Sequence, residues 1–193
     1  MLDSIKLVVF DLDGTLANLP VDWEGLRAEL RRHFQSRYGF DSNFRPFDSE
    51  IEEVGQKLGD SALREAYQIV ERHELENIEE VSPVNGALEL VQELKDRGKS
   101  LAILSSNTHR AIERALEHLG IREHFDIIVG KEDVVKHKPD PEGLILIKDR
   151  AGVSGDETCY IGDRSTDMEC AARAGACGLS IERALELGKE VSP

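Results

Sequence analysis

Lys6-Leu-Val-Val-Phe10-Asp11-Leu-Asp13-Gly-Thr-Leu16 is an apolar run that stops on two aspartates, two positions apart, and then turns at a glycine. Ile5 and Leu7 to Phe10 combine high β-propensity with no polar alternation, which predicts a strand covered on both faces in a parallel sheet. Asp11 and Asp13 then stand at the carboxyl end of that strand. Ligands of open α/β sheets bind outside that end, and side chains alternate along an extended chain, so residues two apart can face one site. Two carboxylates there suit a metal cation or a phosphoryl group. Gly14 lets the backbone turn sharply away.

Working outward, residues 17–81 read as helical and hold no convincing strand. Trp23, Leu26, Leu30 and Phe34 recur at helical spacing, and 49–58 and 61–75 carry similar patterns, with breaks at Arg45-Pro46 and Gly59-Asp60. From Pro83 the pattern changes to alternating elements. Helix 84–97 is closed by Gly98, strand 100–104 precedes helix 109–119, and strand 126–129 precedes helix 141–151. Strand 158–161, helix 166–174 and a short strand 178–181 complete the series. Strands alternating with helices imply right-handed crossovers. The fold class is therefore α/β, a doubly wound, mostly parallel Rossmann-like sheet interrupted after its first strand by a helical insertion. The division is 1–16 with 83–193 for the core and 17–82 for the insertion.

The 193 residues suffice for a full core, 40% of them are hydrophobic, and no stretch approaches the roughly 18 consecutive apolar residues of a membrane helix. Met1 to Ser4 lead straight into the first strand without a signal peptide, so a cytoplasmic location is expected. Cys159, Cys170 and Cys177 are odd in number and crowded near one end, which suits small buried apolar residues rather than a disulfide framework. A net charge of −14 repels nucleic acid and anionic membranes, so an anionic substrate needs local basic residues or a metal. Charge-rich runs such as Glu71 to Glu80 read as solvated helix faces, and the histidines read as surface or helix residues without metal-ligand spacing.

Three further strand ends carry polar groups suited to phosphate chemistry. Leu101-Ala-Ile-Leu104 runs into Ser105-Ser106-Asn107, just before a helix N-terminus. His137-Lys138-Pro139-Asp140-Pro141 follows the third strand, and Cys159-Tyr-Ile-Gly162 ends in Asp163, with Asp167 four residues on.

In that order, DLDGT, SSN, KPDP and GDRSTD resemble the motifs of the haloacid dehalogenase (HAD) superfamily, in its phosphoglycolate phosphatase and β-phosphoglucomutase branch with a helical cap. The resemblance covers the core; the insertion matches in position and helical character alone. It implies Asp11 as the nucleophile that becomes an aspartyl phosphate, and Asp13 as general acid and base with its carbonyl on the metal. It implies Mg²⁺ held by Asp11, Asp13 and Asp163, with Asp167 either an outer-shell ligand or a plain helix N-terminal charge partner. Ser105 is the better phosphate-binding hydroxyl, and a shift to Ser106 or Asn107 stays open. Lys138, rather than Lys136, offsets the charge of phosphate and Asp11 together. Dehalogenases lack an acid at the position of Asp13, because halide leaves without a proton. The implied activity is a Mg²⁺-dependent phosphatase acting on a small phosphorylated metabolite, as a monomer or homodimer, with a phosphomutase and a phospho-receiver switch as rivals. In the insertion, 18–23 and 55–60 are the stretches to search first for specificity contacts, while packing within the insertion or solvent exposure is the favoured reading of Trp23, Arg45, Lys57 and Asp60.

Overall fold

The computed structural model describes residues 4–189. In chain order the elements are β1 (Leu7–Phe10), β2 (Ala17–Asn18), α1 (Trp23–Tyr38), α2 (Phe47–Leu58), α3 (Asp60–Leu75) and β3 (Ser82–Pro83). There follow α4 (Ala87–Asp96), β4 (Ser100–Leu104), α5 (His109–His118), β5 (Ile127–Val129), α6 (Glu142–Ala151), β6 (Thr158–Gly162), α7 (Ser165–Arg173), β7 (Cys177–Ser180) and α8 (Ile181–Lys189).

β1 occupies the middle of a five-stranded sheet of order β5-β4-β1-β6-β7, in which every neighbouring pair is parallel. Its four residues are all buried, as a strand sandwiched between helices must be. Alternation divides the strands between two apolar layers. Val8, Phe10, Leu101, Ile103, Cys159 and Ile161 face the helices α4, α5 and α8. Leu7, Val9, Ala102, Leu104 and Tyr160 face α6 and α7. Phe10 lies in register with both Ile103 and Ile161, so β1, β4 and β6 end at nearly one level. That register delivers the residues that follow each strand to one edge.

Helices α1, α2 and α3 form their own cluster around Leu26, Leu30, Phe34, Phe44, Ile51, Val54, Ala66 and Val70. Fully burying each large side chain contributes about 1.5–3 kcal/mol, enough to explain why the insertion has a core separate from the sheet. Asp22 starts α1 by accepting a hydrogen bond from the Gly25 amide at 3.0 Å. Gly59, at φ +86°, is the whole connection between α2 and α3, a conformation that disfavours any side chain.

Several expectations change. The region 17–81 does contain extended chain: β2 pairs antiparallel with β3, so the chain enters and leaves the helices as a short ribbon. Two-residue strands carry no periodicity to read. The last strand is Cys177–Ser180, and Ile181 opens the unanticipated α8, whose first turn is capped where Ser180 Oγ accepts from the Arg183 amide at 3.2 Å. Glu74 is fully buried rather than solvated, and His137 is buried rather than superficial. Cys159 and Cys170 are buried and Cys177 half-buried, all as free thiols. Among the described residues no helix is long and apolar enough to cross a membrane.

Candidate active site

Asp11 continues the sheet by one residue, its amide donating to the Ile161 carbonyl at 2.9 Å. Its side chain is buried, and Oδ1 accepts from the Leu12 amide at 2.8 Å. The other oxygen faces Lys138 Nζ at 3.0 Å. Burial pushes the Asp11 carboxyl up to about 6, while the Lys138 ammonium pulls against that rise.

Lys138 arrives from the loop before α6, and its ammonium has three protons to give. They meet Asp11 Oδ2 at 3.0 Å, Asp167 Oδ1 at 2.7 Å and the Tyr160 hydroxyl oxygen at 3.0 Å. Burial works against the charged ammonium, yet Asp11 and Asp167 outweigh it and hold Lys138 above the ordinary lysine range. The Tyr160 hydroxyl lies 2.9 Å from the Leu104 carbonyl and 3.1 Å from Asp167 Oδ1, either of which can take its proton. Asp167 Oδ2 accepts from the Arg164 amide at 3.0 Å. Asp167 is therefore wholly buried with both oxygens engaged, the arrangement of a residue that orients Lys138.

Asp13 turns to the same edge, and its Oδ1 accepts from the Leu19 amide at 2.9 Å. Burial raises its carboxyl above the usual range, with the Leu19 hydrogen bond opposing. A carboxyl held toward its protonated form is suited to giving a proton to a leaving group. Ser105 extends β4, its amide donating to the Val129 carbonyl at 3.1 Å. Ser105 Oγ donates to Asn107 Oδ1 at 2.9 Å and accepts from the Asn107 amide at 3.3 Å.

Asp163 is exposed at the end of β6, and carboxylate oxygens of Asp11, Asp163 and Asp167 lie within 4.8 Å of one another. This all-oxygen donor set fits a hard divalent cation. Of the three, Asp11 and Asp163 line the cavity at this edge, while Asp167 lies behind Lys138. Gly14 makes room for this: at φ +82°, a Cβ added there would fall 2.5 Å from Asp163 Oδ2. Gly14→Ala is accordingly expected to lose about 1 kcal/mol or more of stability and to weaken divalent-cation binding about tenfold. Metal titration beside thermal unfolding checks both.

The site opens into a cavity of about 460 Å³. Its floor is Asp11, Asp13, Gly14, Ser105, Ser106, Asn107, Lys138 and Asp163. Its outer wall is Asn18, Trp23, Arg27, Phe47, Asp48 and Arg164. Trp23 and Phe47 meet edge to face at 5.6 Å. Arg27 Nε is buried with no hydrogen-bond partner. Thus every residue singled out at the strand ends converges except Asp167, which stands just behind. Trp23 lines the cavity, although packing or exposure is the favoured reading from sequence, and Arg164 does so despite its exposure. The stretch 55–60 does not, since Gly55 lies inside α2; Lys57 pairs with Glu53 and Arg45 with Glu24. Tyr160, Arg27 and Phe47 went unread. The signal at Tyr160 is faint: its hydroxyl, in a strand read as buried, needs a partner, but nothing nearby in the sequence names it.

A family described as haloacid dehalogenase-like hydrolase matches residues 8–179. The chain is 28% identical to pyrophosphatase PpaX of Halalkalibacterium halodurans, over 89% of this chain and 81% of that one. It is 26% identical to phosphoglycolate phosphatase of Aquifex aeolicus, over 89% and 82%. CbbY from Rhodobacter sphaeroides, solved in complex with phosphate, superposes with a TM-score of 0.69 at 19% identity, over 91% of this chain and 85% of that one, a likeness of fold.

Proposed function

The chain belongs to the haloacid dehalogenase-like hydrolases, and from that premise we propose that it is a Mg²⁺-dependent phosphatase of small phosphate monoesters that works through a phosphorylated Asp11. The observation that carries this reading is the 3.0 Å contact of Lys138 with Asp11, on the floor of a cavity shared with Asp13, Ser105 and Asp163.

Asp11 Oδ attacks phosphorus while the bond to the leaving oxygen breaks, and Asp13 gives that oxygen its proton. Asp13 then takes a proton from a water that attacks the phosphorylated Asp11, releasing inorganic phosphate and restoring both carboxyls. Lys138 offsets the negative charge that opposes bringing phosphate to a carboxylate, and Ser105 and neighbouring amides receive phosphate oxygens. Asp11 and Asp163 are the side chains that would hold Mg²⁺, together with the Asp13 carbonyl; the ion supplies charge stabilisation for the phosphoryl group. Asp167 holds Lys138 in place.

We assign 17–82 as the cap and 1–16 with 83–193 as the core. Trp23, Arg27 and Phe47, from the cap side, face the part of the substrate that is not transferred. The partnerless Arg27 Nε supports an acceptor group there. The names of the phosphoglycolate phosphatase and pyrophosphatase relatives support a small phosphoryl substrate.

A panel of phosphate monoesters and pyrophosphate, assayed with Mg²⁺, tests this reading. Release of free phosphate is expected, falling on the order of 100-fold with chelator and returning when Mg²⁺ is restored. Acid quenching during turnover should trap phosphate on Asp11. Return of the phosphoryl group to a sugar phosphate with little free phosphate would make the protein a mutase instead, and a long-lived acyl phosphate without turnover would make it a switch.

A further inference from the structure

Glu74 closes a line of buried residues on α3 at four-residue steps, Ala62, Ala66 and Val70, where another apolar side chain would serve packing. Instead a carboxylate stands there, wholly excluded from solvent, and it reaches across to the turn that follows β4. Oε2 accepts from the Thr108 amide at 2.8 Å and the Thr108 hydroxyl at 2.6 Å. Oε1 accepts from Asn107 Nδ2 at 3.0 Å and faces Lys131 Nζ at 3.5 Å. Lys131 is itself buried, its ammonium 5.1 Å from the centre of the Phe47 ring. Taking both ions out of water is costly before their attraction offsets it, so the pair is a poor device for packing alone.

Its chemistry does something an apolar residue cannot. A carboxylate only accepts, so the Asn107 amide must turn its nitrogen toward Glu74 and its oxygen toward Ser105. That oxygen receives the Ser105 hydroxyl proton at 2.9 Å, which holds Oγ in place with a proton the hydroxyl can turn to an arriving phosphate oxygen. The same carboxylate ties down the backbone at Thr108. We propose that Glu74 is a positioning residue: from α3 it sets the Asn107 amide and the Thr108 backbone, and through them the place of Ser105 Oγ and of the phosphate-binding turn. This rests on the reading that Ser105 and the neighbouring amides hold phosphate.

The test is binding of inorganic phosphate in the presence of Mg²⁺, by calorimetry, beside KM and kcat. The proteins are wild type, Glu74→Gln and the double variant Glu74→Gln/Lys131→Met. Glutamine keeps the size but puts N–H donors where only acceptors fit. Glu74→Gln is expected to weaken phosphate about tenfold and raise KM by a similar factor, with kcat changed less than threefold. It also leaves Lys131 buried without its partner and lowers Tm. The double variant removes that charge, so Tm recovers while phosphate stays about tenfold weaker. A merely structural role would have phosphate affinity recover together with Tm, and that result overturns the inference, as does wild-type affinity in either variant. Wild-type protein that binds no phosphate would instead sink the phosphatase reading on which this one stands.

Discussion

Asp11→Asn is expected to reduce turnover on the order of 10⁴-fold or more while leaving the protein folded, because an amide cannot form the phosphorylated intermediate. Its stability should also respond to pH in a defined direction. The Asp11 carboxyl is pushed up to about 6 in the fold, above its ordinary range, chiefly by burial. A raised carboxyl contributes stability that is complete below the unfolded value and is lost as pH rises through about 6. In metal-free protein the substituted amide has no such titration, so the Tm of the variant relative to wild type rises between about pH 4 and 7. Thermal unfolding in chelator at several pH values checks this, and steady-state turnover with the best ester of the panel checks the rate. Activity within tenfold of wild type would remove Asp11 from the role of nucleophile.

Lys138→Met is expected to damage both fold and rate. The ammonium is the shared partner of Asp11 and Asp167, at 3.0 and 2.7 Å, and its removal leaves two buried carboxylates facing each other. Breaking a buried pair from one side costs roughly 3–5 kcal/mol, measurable as a lower urea midpoint at neutral pH. Turnover is expected to fall about 10²–10³-fold, the scale for one preorganised electrostatic partner. Loss of its pull also raises the Asp11 carboxyl further, so the acid limb of kcat/KM moves up by about 1 pH unit or more. Lys138→Arg should not rescue, since a planar guanidinium cannot occupy a three-way ammonium site lined by Asp11, Asp167 and Tyr160. An unchanged acid limb in Lys138→Met would show that Lys138 does not act on Asp11.

Much of this site is legible before folding because its parts are local. Asp11, Ser105 and Asp163 each follow an apolar strand, and parallel strands that begin with similar runs end at a common edge. Lys138 is legible through its setting in KPDP. Tyr160 and Glu74 are not, for the same reason. Each sits inside a regular pattern, an apolar strand and a charged helix end, and acquires its role from a residue far along the chain. Glu74 has the added disguise of a highly charged neighbourhood, although its place four residues after Val70 puts it on the buried line. The stretch 55–60 misled because Gly55 is a packing glycine inside α2, its Cβ position 3.1 Å from Leu63, and not a loop at the cavity.

By itself the chain of residues determined the alternation of strands and helices, the interruption after β1 and the edge at which acids, serine and lysine gather. Hydrophobic period and turn chemistry act over a few residues, so they can be read in order. Only the tertiary structure decided which charges meet. It gave the three Lys138 protons to Asp11, Asp167 and Tyr160, and withdrew Asp167 from the cavity to hold that lysine. It also set a carboxylate of α3 against the Asn107 amide. Hydrogen bonds and ion pairs depend on distances of about 3 Å between residues tens of positions apart. No local pattern encodes those distances; packing of the helical layer on the sheet does.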